Sequence, residues 1–157
     1  MAIKLLNLGS RHQHILSFDE DRPKPDPENP GEMLPAGPTA VVWDIVVLSS
    51  RVMGHLSDSA TRFVQNSSGG TNDIRADMRP FAVAYERVRL GLKGVSNLKD
   101  DSGTALTVPL VTENIPGLGV QEVVAQSFMD KLPRPVILEL SSELMKLTQA
   151  TSDVLGN

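Results

Sequence analysis

The chain has 157 residues, 40% hydrophobic, 22% charged and only 4% aromatic, with 15 basic against 19 acidic residues and a net charge of −4. This length buries roughly two thirds of the unfolded surface, so one domain is expected, with an aliphatic core around Trp43, Tyr85 and the four Phe. A pI near 5.3 disfavours a dedicated nucleic-acid binder, and the lack of Cys excludes disulfides, thiolate metal sites and cysteine nucleophiles.

The N-terminal Met1–Leu6 run is too short for a signal segment, and no later stretch approaches the ~18 continuous apolar residues of a membrane span. The expectation is a soluble protein with no membrane partner. Ile3, Leu5 and Leu8 alternate with Lys4 and Asn7, and after the turn-prone Gly9-Ser10 a second alternating run follows at His14–Phe18. Two short strands are expected here. His12 and His14 would share one strand face, the spacing of a two-histidine metal clip. Only loop carboxylates stand near enough in sequence to complete it, so hydrogen-bonding histidines are the expectation.

Residues 19–38 form a compositional break that concentrates most of the prolines. Each proline removes a backbone donor and biases the preceding residue to extended conformations, which predicts an extended arm or loop. The acidic residues do not follow the alternating ligands and central glycine of a calcium loop. Asp19, Asp21, Pro23, Pro25, Pro27 and Pro30 are the candidate contact residues of this arm.

Thr39–Leu48, β-branched and carrying Trp43, is the strongest strand pattern in the chain. After Ser49 and Ser50 as an N-cap, Val52, Met53, Leu56, Ala60, Phe63 and Val64 recur at helical spacing, predicting one helix, and 65–73 reads as a Gly-Gly loop without the spacing of a phosphate cradle. Asp77 is placed to cap a second helix with Pro80 in its first turn. Phe81, Ala84, Tyr85, Val88 and Leu92 face inward on it. Arg79, Arg87, Arg89 and Lys93 fall on its other sides, the densest positive charge in the chain, read first as a solvated face and second as a candidate contact face. Gly91 and Gly94 read as the helix exit, and Asp100–Gly103 as a tight acidic turn.

Thr104–Val108 reads as a brief strand ended by Pro109, and 111–119 as a loop. Two helices are expected to close the chain. The first carries Val120, Val123, Val124, Phe128 and Leu132, and the second Val136, Ile137, Leu140, Leu144 and Leu147; the Pro133–Pro135 link is short enough to pack them antiparallel. The fold class is therefore α+β, a small antiparallel or mixed sheet packed against about four helices. No nucleophile elbow, zinc-helix motif, dinucleotide fingerprint or Cys/His cluster is present, so no catalytic, cofactor or metal residue is assigned.

The run Val88-Arg89-Leu90-Gly91-Leu92-Lys93-Gly94, followed by Asn97-Leu98 and Asp100-Asp101-Ser102-Gly103, resembles a pattern in small tailed-bacteriophage morphogenesis proteins described as tail assembly chaperones or virion proteins. Asn29-Pro30-Gly31-Glu32 ahead of a Trp-bearing strand, and the terminal Leu138–Leu144 helix, are compatible with it. The specific part covers residues 88–103, and Val95 and Leu98 stand where aromatics are expected. The resemblance implies a non-enzymatic role in the virion, assembled in the host bacterial cytoplasm, with other copies of itself and other phage structural proteins as partners. A ring-forming connector, collar or tail-completion subunit, a transient tail chaperone, and an adaptor or inhibitor of a host protein are the functions it leaves open.

Overall fold

Val42–Val46 (β4) is the central strand of the protein because its alternation buries Trp43 and Ile45 on one face. The structure, a computed structural model, describes residues 8–66, 73–78 and 80–152. Arg11–Ile15 (β1) pairs antiparallel with β4, and Leu92–Ser96 (β7) pairs antiparallel on its other side, giving a three-stranded sheet ordered β1-β4-β7. The expected strand over Ile3–Leu8 lies almost wholly outside the described residues. Between β1 and β4 the chain forms a small hairpin from Lys24–Pro25 (β2) and Met33–Leu34 (β3).

Among the described residues four helices accompany these strands, consistent with the α+β class. Ser50–Ala60 (α1) and Pro80–Gly91 (α2) flank a hairpin of Thr61–Asn66 (β5) and Asp73–Met78 (β6). After β7 come a hairpin of Leu110–Ile115 (β8) and Gly119–Val124 (β9), the single turn Gln126–Met129 (α3), and the long Arg134–Ser152 (α4). Val136, Ile137, Leu140 and Leu144 recur at helical spacing on α4 and are buried, and α4 packs mainly on α2. With Trp43, Ile45, Val88, Leu92, Val123, Val124 and Met129 they form one contiguous core. Arg134 at the head of α4 lies over the Phe81 ring at the head of α2, 4.9 Å from its centroid.

Three sequence expectations are corrected. The helix expected to run through Val64 stops at Ala60, because 61–66 pairs residue by residue with 73–78; the expected cap Asp77 and the flanks of the expected 65–73 loop are strand. The backbone of a short apolar run obeys whichever partner is offered, and periodicity alone cannot tell the two apart. The same ambiguity governs 110–124, where a loop and the start of a helix were expected. Val123 and Val124 are core residues of β9, and the turn is closed by Gly117 and Gly119 at φ 86° and 82°. The antiparallel helix pair is consequently absent: only α3 remains of the first member. The expected strand at 104–108 is reduced to an isolated bridge between Lys99 and Ala105.

The glycines of the Leu90–Gly94 stretch act by close approach rather than by turning the chain. Neither has a positive φ. A Cβ on Gly91 would lie 2.5 Å from Leu144 Cδ2, so α2 and α4 touch because this side chain is missing. A Cβ on Gly94 would lie 2.9 Å from Asp44 Oδ2 across the β4–β7 pair. Asn97 makes the left-handed turn instead, at φ 64°, with its amide donating to the Ala40 carbonyl at 2.9 Å. The acidic turn forms as expected, with Asp100 Oδ1 accepting from the Ser102 and Thr104 amides at 2.9 Å each and Gly103 at φ 81°.

Candidate functional site

The proline-rich segment is a closed lobe rather than a free arm, because its own aspartates tie its base. Asp19 accepts from the Asp21 amide through one oxygen and from the Val41 amide through the other, both at 2.9 Å. Asp21 accepts from the Thr39 hydroxyl, and its carbonyl accepts from the Gly37 amide at 2.7 Å. A second closure higher up joins the Asp26 amide to the Glu32 carbonyl, with Asp26 also capping Glu28 and Asn29. These bonds hold the Asp26 carboxyl below the usual carboxylate range, the Asn29 side chain foremost. Asp19 and Asp21 are thus partly buried anchors. Pro23, Pro25, Pro27 and Pro30 are exposed. On the β3 strand of the hairpin Met33 and Leu34 are 60% and 44% exposed, a pair the sequence reading passed over.

Two members of the expected basic contact face lie inside the protein. Arg87 and Arg89 are only 8% and 9% exposed, and Lys93 belongs to β7, not to the helix. Arg89 Nε donates to the Val124 carbonyl at 3.1 Å while both terminal nitrogens hold Glu113, so the guanidinium ties α2 to the β8–β9 hairpin. That bond is the main reason the Glu113 carboxyl is held low. Arg87 donates to Ser141 Oγ at 2.6 Å on α4, its Nε finds no partner among the described residues, and burial lowers its pKa. Lys93 is the extra residue of a β-bulge, since Asp44 opposes Gly94 and Ile45 opposes Leu92, and its Nζ donates to the Glu122 carbonyl at 2.6 Å. Helical spacing counted these cations as solvated because the strands of the β8–β9 hairpin, which cover Arg89 and Lys93, were not expected there. Arg79 lies outside the described residues.

Two further features appear only in three dimensions. His14 and His12 face the same way from β1, but they do not share a partner. His12 bonds Ser10 Oγ at 3.2 Å, whereas His14 Nε2 lies 3.0 Å from Glu139 Oε1 and Nδ1 lies 3.9 Å from Glu143 on α4. Glu139 also accepts from the Ser17 amide at 2.6 Å and the Ser17 hydroxyl at 2.7 Å. Burial pushes the Glu139 carboxyl up, but the Ser17 bonds and His14 outweigh it and hold it below its ordinary value of 4.5. A depressed carboxyl stabilises the fold fully above its unfolded value and loses that contribution as pH falls through the lower folded value. Glu139→Ala is therefore expected to cost about 1–3 kcal/mol at neutral pH. Urea unfolding of the mutant and native chains should converge below pH 4.5; a constant difference down to pH 3 would contradict this role.

The second feature is an open cleft of about 240 Å³ between α1, α2 and the β8–β9 turn. Leu56, Val83, Leu90, Ile115 and Leu118 make its apolar walls, with His55 and Glu86 at its polar edge. Its volume is below the ~300–1,000 Å³ usual for small-molecule sites and suits one or two side chains. Burial raises the pKa of Glu86, against the opposing effect of Arg89. Nearby, the Tyr85 hydroxyl donates to Asp130 at 2.8 Å, and burial with this bond pushes its pKa up to about 12. Among the described residues no group of three His, Asp or Glu is placed to hold a metal ion, and no helix is long and apolar enough to cross a membrane.

The arrangement leaves two apolar features open: the exposed Met33–Leu34 strand of the lobe, and an apolar cleft with a carboxylate at its edge. No family model, curated protein or solved structure matches the chain significantly.

Proposed function

We propose that this protein is a non-enzymatic structural component of a tailed-bacteriophage particle, a connector, collar or tail-completion subunit that assembles through repeated protein–protein contacts. The observation that carries the reading is the lobe at 19–38. Hydrogen bonds accepted by Asp19 and Asp21 tie its base, and it presents Met33 and Leu34 to solvent on a two-stranded hairpin. Two exposed apolar side chains on such a hairpin add little to the stability of the chain itself, whereas a partner that buries them stabilises both. Among the described residues the β5–β6 and β8–β9 pairs are likewise two-stranded, so each leaves strand edges for a neighbour. The resemblance of residues 88–103 to phage morphogenesis proteins points to the same class.

Replacing Arg22–Ala36 by a two-glycine turn preserves the Asp21–Gly37 closure. The expected result is a monomer that melts within a few degrees of the native chain but no longer self-associates in light scattering or enters particles. Unchanged assembly would remove the lobe from the mechanism. A native protein that stays monomeric at high concentration and is missing from the mass spectrum of purified particles would refute the structural role altogether.

A further inference from the structure

The lobe and the cleft are chemically complementary. In the β2–β3 pair Lys24 stands directly opposite Leu34, so the two side chains share one face, with Met33 on the other. Lys24 is exposed, and among the described residues it pairs with no carboxylate. The face thus combines one aliphatic side chain with one adjacent free cation. The cleft has the converse make-up. Its walls are aliphatic, and among the described residues Glu86 at its edge has only Arg89 as a counter-ion, at 3.8 Å, while Arg89 gives both terminal nitrogens to Glu113. The carboxylate is partly desolvated and under-compensated, so a cation brought to it is held more tightly than on an open surface.

The two surfaces also belong to different ends of the sheet. The lobe leaves and re-enters at the Ile15–Val42 end. The cleft is built on α1, which follows the other end of β4, and on the β8–β9 turn, whose Gly117 carbonyl accepts from Arg51 at 3.3 Å. A contact joining such surfaces in two molecules is head-to-tail, and it closes into a ring or continues as a filament.

We propose that the lobe of one copy seats Leu34 in the α1–α2 cleft of the next copy, with Lys24 placed on Glu86. This rests on the assembly function proposed above and names its interface. Because the chain has no Cys, single-cysteine variants report the contact directly. Leu34→Cys and Val83→Cys chains carrying tags of different size, mixed and mildly oxidised, are expected to yield a mixed disulfide dimer that neither variant forms alone. In sedimentation, Lys24→Glu and Glu86→Lys should each weaken self-association about tenfold, and the two changes in one chain should restore it. Lys24 lies on the exposed hairpin, so its variant tests the pairing even where Glu86→Lys disturbs the cleft. A Val83→Cys homodimer in place of the mixed product would mean a cleft-to-cleft contact and overturn the proposal. Assembly that persists with neither the cross-link nor the charge effect would place the interface elsewhere while leaving the assembly function standing; an assembly-incompetent native chain would refute both.

Discussion

Arg89→Glu is expected to destabilise the whole fold rather than to alter a surface. The substitution puts a carboxylate at a position only 9% exposed, facing Glu113 and the Val124 carbonyl where a cation had served both. An uncompensated buried charge of this kind costs about 3–5 kcal/mol, a large part of the 5–15 kcal/mol that holds a typical domain together. Thermal melting by circular dichroism should show a fall in Tm on the order of 10 °C or an insoluble product. A melt within two or three degrees of native would mean that Arg89 faces solvent. Arg87 provides the contrast. It is as deeply buried, but it bonds a neutral hydroxyl, and its Nε has no partner among the described residues. Replacing both partners, as Arg87→Met with Ser141→Ala, removes a desolvated charge and its acceptor together and is expected to be neutral or stabilising.

Gly91→Val is expected to cost about 3 kcal/mol through overpacking of the α2–α4 contact. The first added carbon would already lie 2.5 Å and 2.7 Å from the two methyl carbons of Leu144, a fully buried side chain with little freedom to turn away. Gly91→Ala tests the same contact with opposing terms, since alanine gains about 0.5–1 kcal/mol in a helix while the clash costs more. Shortening Leu144 to Ala makes room, so Gly91→Ala should be less harmful in that background by about 1–2 kcal/mol in urea unfolding. Additive effects of the two substitutions would show that Gly91 and Leu144 do not meet.

The Trp43 strand, α4 and the 100–103 turn were legible because their local signals are consistent: β-branched alternation, apolar spacing sustained over several turns, and an aspartate followed by glycine. Phe63 and Val64, and Val120 to Val124, were not, because each run is short enough to satisfy a helical or an alternating pattern. The lobe was visible as a segment, but not its closure, since the acceptors of Asp19 and Asp21 serve Val41 and Thr39 about twenty residues away. In the cleft, Leu56, Glu86 and Leu118 come from three separate elements and leave no joint trace in the chain.

By itself, then, the sequence determined the α+β class, the aliphatic core, the proline-rich segment and the lack of any cysteine chemistry, all of which depend on composition or on neighbours a few residues apart. Only the tertiary structure decided that Arg87 and Arg89 lie inside, that Gly91 and Gly94 serve contact rather than turning, and that residues of α1, α2 and the β8–β9 turn meet around a cleft. Burial is a property of what folds over a residue, and for Arg89 the covering hairpin lies more than twenty residues further along the chain.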